Sequence, residues 1–241
     1  MENRRYIQDA MSNRSRRIPL SSTVVWDLDR DYHFLVTGTT GSGKTKAAEY
    51  LMINLSELGY RVYYLDPKQD EEMRRFSRDC GIIYASGIEK IAQIVHETEE
   101  EMRKRGKALE EIHMAEFDFA PIYIVFDELI AYQAIAPKKT VEEVKRRLTS
   151  IITMGRSKQV FCGLIMVRPD TAYIDGVLRD QLGLRLVMGQ GSEALYTMAF
   201  GKEHAEVKNL RSKETGSGLI MLSGYQHPRE VMMPYIVETR R

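Results

Sequence analysis

Residues 33–59 read HFLVTGTTGSGKTKAAEYLMINLSELG, and this stretch decides the fold class. The run HFLVTG (33–38) is apolar and closes on a glycine, which suits a buried strand. Gly38 to Thr45 then satisfy the spacing G-x-x-x-x-G-K-[ST]. From Lys44 to Leu58, the residues Ala47, Ala48, Leu51, Met52, Leu55 and Leu58 recur on one helical stripe, and Gly59 closes it. Strand, glycine loop and helix in that order make a phosphate-binding loop. Glycines at 38, 41 and 43 let successive backbone N–H groups turn inward onto phosphate oxygens. The helix start adds the positive end of its dipole. Nucleotide contacts are therefore expected from Gly38, Thr39, Thr40, Gly41, Ser42, Gly43, Lys44, Thr45 and Lys46. Lys44 is expected to reach the β- and γ-phosphates of ATP, and the Thr45 hydroxyl to complete the coordination of Mg²⁺.

Further along, IYIVFDEL (122–129) is a strongly apolar strand that ends in two acids. An open α/β sheet binds ligands at the carboxyl ends of its strands, which puts Asp127 and Glu128 beside the phosphate loop. Asp127 suits the acid that holds the metal. Glu128 suits the base that polarises the attacking water. Taken without the loop, the pair would read as a solvated strand end.

RVYYLD (61–66), IIYA (82–85), VFCGLIMV (160–167) and LRLVMG (184–189) are further strands, and GLIML (218–222) with residues 231–237 reads as a closing hairpin. Amphipathic helices alternate with them: Ile88, Ile91, Val95 and Met102 mark one, and Val144, Leu148, Ile151 and Ile152 another. The expected fold is α/β, a mostly parallel sheet covered by helices on both faces. Residues 97–121 read as a charged insertion or helical excursion. Residues 1–22 read as a basic N-terminal arm and 23–241 as the ATPase domain, with no internal repeat or linker.

Composition excludes little. Hydrophobic residues are 43% and charged residues 29%, a balance that allows a core of ordinary size. Net charge is +1, so any nucleic-acid contact has to come from a local patch. Cys80 and Cys162 lack metal-ligand spacing and read as buried free thiols, compatible with a cytoplasmic protein. No apolar run has the length of a membrane span.

GTTGSGKT (38–45), LDPK (65–68), IVFDEL (124–129), and the run from MGR (154–156) to LIMVRPD (164–170) together resemble the FtsK/SpoIIIE branch of the FtsK/HerA superfamily. The segment from Arg168 to Gly189, followed by YTMAFG (196–201), is most similar to the FtsK-like coupling ATPases of Gram-positive conjugative elements. The resemblance implies a RecA-like fold and a homo-hexameric ring that pumps double-stranded DNA using ATP. It implies that Arg156 is an arginine finger completing a neighbour's site; otherwise Arg156 is a surface residue at a helix end. One position departs from the pattern. Val167 stands where the family commonly has a glutamine that senses the γ-phosphate, and its side chain has no hydrogen-bonding group. Neither membrane helices nor the winged-helix module of long members is recognisable, so orientation on a DNA sequence is not expected.

A ring of this kind holds DNA by its phosphates, without strong sequence preference. Lys138 and Lys139, in the loop AIAPKKT, are the first candidates for that contact, and Arg179 the second. A membrane or replication partner is expected to recruit the protein. Three alternatives stay open at this stage: a viral genome-packaging ATPase, a small-molecule kinase, and a non-motor ATP-binding scaffold.

Overall fold

The computed structural model describes residues 16–115, 119–170, 174, 176–204 and 214–234. Its strands are β1 (Arg17–Pro19), β2 (Val25–Asp27), β3 (Phe34–Gly38), β4 (Arg61–Leu65), β5 (Ile83–Ala85), β6 (Ile122–Asp127), β7 (Val160–Met166), β8 (Leu184–Met188), β9 (Ser217–Met221) and β10 (Arg229–Met232). Its helices are α1 (Lys44–Glu57), α2 (Glu71–Asp79), α3 (Ile88–Glu111), α4 (Leu129–Ile135), α5 (Lys138–Met154), α6 (Gly176–Asp180) and α7 (Glu193–Phe200).

The main sheet runs β10-β9-β8-β3-β7-β6-β4-β5. The strands from β8 to β5 are parallel, whereas β9 and β10 join antiparallel. This is the RecA-like arrangement. Alternation along β3 shows why both faces are covered: Phe34 and Val36 pack with Ala48, Leu51 and Leu55 of α1. Leu35 packs the other way, with Ile91 and Val95 of α3 and Val144 and Leu148 of α5. Burial on both sides explains the near-continuous apolar runs read from the sequence.

Parallel strands align their ends. Gly38 pairs with Met188, Asp127 with Ile165, and Leu65 with Phe126. The loops that follow β3, β6 and β4 therefore open on one edge of the sheet, and residues preceding β7 lie on the opposite edge.

Several expectations need correction. Residues 16–22 of the expected arm are not a solvated lead-in: β1 pairs with β2, and Ile18 and Leu20 are fully buried with Trp26 in the core. Residues 1–15 lie outside the described residues. The excursion at 97–121 begins as the second half of α3, and its charges are not all in water. Glu99 is buried and paired with Arg103 at 3.0 Å, with Arg146 at 3.5 Å and with Arg147, joining α3 to α5. Arg105 is buried too, donating to the Lys158 carbonyl at 2.9 Å. Lys138 and Lys139 begin α5 rather than sit in a loop. β7 stops at Met166, leaving Val167 exposed. Cys162 is buried, but Cys80 is only partly so.

Candidate active site

The loop from Thr39 to Gly43 joins β3 to α1. Gly38 has φ 144°, and a Cβ there would run into the Met188 carbonyl oxygen of the neighbouring strand. No other residue fits so close to β8. Gly41 and Gly43 turn the loop through left-handed backbone, at φ 79° and 97°. Gly43 caps α1 without a side-chain hydrogen bond, and the first turn carries no acid. The first N–H groups of α1 and its positive end thus stay available to an anion. Meanwhile the loop closes on itself: the Ser42 hydroxyl and the Lys44 ammonium each donate to the Thr39 carbonyl at 2.8 Å. Thr45 is exposed at the rim.

Across the cleft stand the two acids. Asp127 ends β6 and is 8% exposed. Its Oδ2 accepts from the Lys68 ammonium at 2.8 Å and from the buried Tyr64 hydroxyl at 3.0 Å. Burial pushes the Asp127 carboxyl above its ordinary range, and the Lys68 charge pulls against that shift. Glu128 takes a left-handed conformation, φ 56° and ψ 73°. Such a backbone costs about 1–2 kcal/mol for a residue with a side chain. It is held in place because its N–H donates to the Ile165 carbonyl at 2.8 Å and its carboxylate accepts the Val167 N–H at 3.1 Å. Burial raises the Glu128 carboxyl as well, opposed by that hydrogen bond and by the Lys68 and Lys44 charges. Burial lowers Lys44, against the pull of Glu128.

Loop and acids line one cleft of about 420 Å³, together with Lys68 and Thr215. A larger cleft between α3 and α5 has none of these groups. Among the described residues no set of three or more His, Cys, Asp or Glu could hold a metal by itself. Asp127 and the Thr45 hydroxyl do fit Mg²⁺ that arrives with a nucleotide, because this ion takes one or two protein oxygens plus phosphates and water.

The remaining expected residues are placed as follows. The Lys46 ammonium is taken by Glu49 and Glu72, at 3.0 Å each, so only its backbone N–H is left for a phosphate. Arg156 is exposed in a turn before β7, its guanidinium 4.8 Å from the centre of the Tyr32 ring. β7 is seven residues long, so at about 3.3 Å per residue Arg156 lies roughly 20 Å from its own cleft. Lys138 projects into solvent, 3.8 Å from Glu142. Arg179 is mostly covered and pairs with Asp180 at 3.2 Å. Arg168 reaches toward the Met198 sulfur on α7. At Val167 the backbone does what the side chain cannot: its N–H meets Glu128 and its carbonyl accepts from the Thr37 hydroxyl at 3.0 Å.

Sequence reasoning missed the role of Lys68, seeing LDPK only as a marker. The lysine is three residues beyond a strand end, and its approach to Asp127 follows from the β4–β6 pairing. That pairing is not written in the local sequence.

Known proteins resemble this chain in sequence and in fold. The FtsK/SpoIIIE family model matches residues 11–136, more than half of the chain. The FtsK domain-containing protein YdcQ of Bacillus subtilis (strain 168) is 30% identical over 229 residues, covering 90% of this chain and 46% of that protein. The chain thus spans less than half the length of that relative. In structure it is similar to the conjugation coupling protein TcpA of pCW3, solved as a monomer with ATPγS. The TM-score is 0.78 at 18% identity, covering 94% of this chain and 68% of that one. EssC from Geobacillus thermodenitrificans (ATPases 2 and 3) gives 0.74 at 14% identity, covering 91% and 44%. With its phosphate loop and paired acids on a RecA-like sheet, the chain belongs to the FtsK/SpoIIIE family.

Proposed function

We propose that this chain is an ATP-hydrolysing translocase of double-stranded DNA, working as a homo-hexameric ring in DNA transfer by a mobile element, plasmid or phage. One observation carries the reading. The phosphate loop and the acids Asp127 and Glu128 share one cleft, while the exposed Arg156 lies on the far edge of the sheet, too far to serve its own cleft and exposed to a neighbour.

Lys44 and the N–H groups of the loop hold the triphosphate, and Glu128 takes a proton from water as its oxygen attacks the γ-phosphorus. The bond to the β-phosphate oxygen breaks, leaving ADP and phosphate. Mg²⁺ held there would neutralise the charge developing on the phosphates. Asp127 and Thr45 hold that ion. A neighbour's Arg156 offsets the charge that spreads over the transferred oxygens. Lys138 and Lys139 face the DNA backbone and Arg179 supports them, giving no strong sequence preference. Among the described residues no helix is long and apolar enough to cross a membrane. The protein acts in the cytoplasm, recruited by a membrane or replication partner.

The test is ATP turnover with and without duplex DNA, alongside displacement of a third strand annealed to that duplex. DNA-stimulated hydrolysis with ATP-dependent displacement is expected. Hydrolysis indifferent to DNA, with no displacement, would end the motor reading.

A further inference from the structure

Lys68 has a backbone held by a hydrogen bond and a half-exposed side chain. Asp66 follows β4 and is fully buried. Its carboxylate accepts the N–H of Lys68 at 2.8 Å, the N–H of Asp70 at 2.7 Å and the Tyr84 hydroxyl at 2.8 Å. These bonds tie down the turn at the cleft edge. The Lys68 side chain, 48% exposed, then crosses to Asp127. Its ammonium also feels the charges of Glu128 and Lys44. The cleft therefore has two ammonium groups, one from the phosphate loop and one from the opposite wall.

Charge decides what the second one does. Asp127 is buried and needs a positive partner, and Lys68 supplies it at 2.8 Å. A divalent ion at Asp127 repels an ammonium 2.8 Å away. A triphosphate brings more negative charge than one such ion and Lys44 neutralise, so the displaced ammonium has an acceptor close by. A lysine on its flexible four-carbon stem can make that move.

We propose that Lys68 is a nucleotide-contacting residue that exchanges partners. Its ammonium, paired with Asp127, moves to the terminal phosphate oxygens when a triphosphate binds with its metal. A diphosphate lacks those oxygens, so the displaced ammonium finds no acceptor there, and the exchange makes the cleft favour triphosphate over diphosphate. This inference rests on the cleft being the ATP site.

The experiment is equilibrium binding of ATPγS and ADP, with Mg²⁺, to the wild type, Lys68→Gln and Lys68→Arg. In Lys68→Gln the affinity for ATPγS is expected to fall about tenfold, the scale of one charged hydrogen bond, while that for ADP stays within about twofold. Lys68→Arg keeps the charge and should retain most of the preference for ATPγS. Equal losses for both nucleotides, or an unchanged ratio, overturn the exchange. A wild type that binds neither nucleotide would instead remove the assignment of the cleft, a result distinct from the first. Should Lys68→Gln fold poorly, acetylation of Lys68 in the wild type decides instead: ATPγS with Mg²⁺ is expected to protect its ammonium more than ADP with Mg²⁺ does, and equal protection overturns the exchange.

Discussion

The Glu128 carboxylate and the Val167 N–H are joined at 3.1 Å across the ends of β6 and β7. The same bond helps hold Glu128 in its left-handed conformation. A glutamine at 128 could accept that N–H through its amide oxygen but could not take a proton from water. Glu128→Gln is therefore expected to bind ATPγS like the wild type and to hydrolyse ATP about 10²–10⁴-fold more slowly. Near-normal turnover would place the base elsewhere and leave Asp127 with the metal alone.

Lys44→Ala should abolish hydrolysis. Its ammonium lies on the Thr39 carbonyl, 2.8 Å away, inside the loop that holds the phosphates. Removing one positive group from a phosphoryl-transfer site costs roughly 10²–10³ in rate. A turnover assay is sufficient, and wild-type rates would remove the phosphate-loop assignment.

Arg156→Ala should bind ATP normally and lose about 10³-fold in turnover. Mixed with Lys44→Ala it should regain part of the activity, since some interfaces would pair an intact loop with an intact arginine. If subunits exchange and no activity returns, Arg156 does not act across an interface, and its place on the Tyr32 ring is only a surface contact.

Replacing Lys138 and Lys139 together by glutamine should lower DNA-stimulated hydrolysis and spare the basal rate. The slope of log affinity for duplex DNA against log salt should shrink by about 2, one for each lost phosphate contact. Equal loss of basal and stimulated rates would mean that this end of α5 supports folding instead.

Glu99→Gln tests the charged joint between α3 and α5. Burial alone would raise the Glu99 carboxyl, but the hydrogen bond from Arg103 and the Arg103 and Arg147 charges outweigh it and hold it below its ordinary value. A depressed carboxyl stabilises the fold above its unfolded pKa, and that contribution is lost as pH falls through the folded one. Near neutral pH the variant should be less stable by about 2 kcal/mol, with Arg103 and Arg146 still able to reach water. The gap to wild type in a denaturant titration should close on the acid side, below the ordinary glutamate value of about 4.3. A gap independent of pH would mean the loss comes from packing.

What the sequence determined by itself was local. Gly38 to Thr45 specify a loop whose backbone turns inward, and the apolar runs around them specify strands buried on both faces. IYIVFDEL specifies a strand ending in Asp127 and Glu128, because an apolar run and its terminal acids need no distant partner to be read. The tertiary structure decided what rests on strands far apart in the chain. Leu65 comes level with Phe126 only once β4 pairs with β6, and that pairing brings Lys68 to Asp127. Ile18 and Leu20 are buried because β1 meets β2 and Trp26, which a polar-looking N-terminus hides. Glu99 and Arg105 read only as part of a charged excursion, and α5 and the turn before β7 are what cover them. Charge patterning along one helix cannot reveal what will pack against it. Val167 shows the same limit, since its side-chain chemistry is plain in the sequence while its bonds to Glu128 and Thr37 are made by backbone atoms every residue shares.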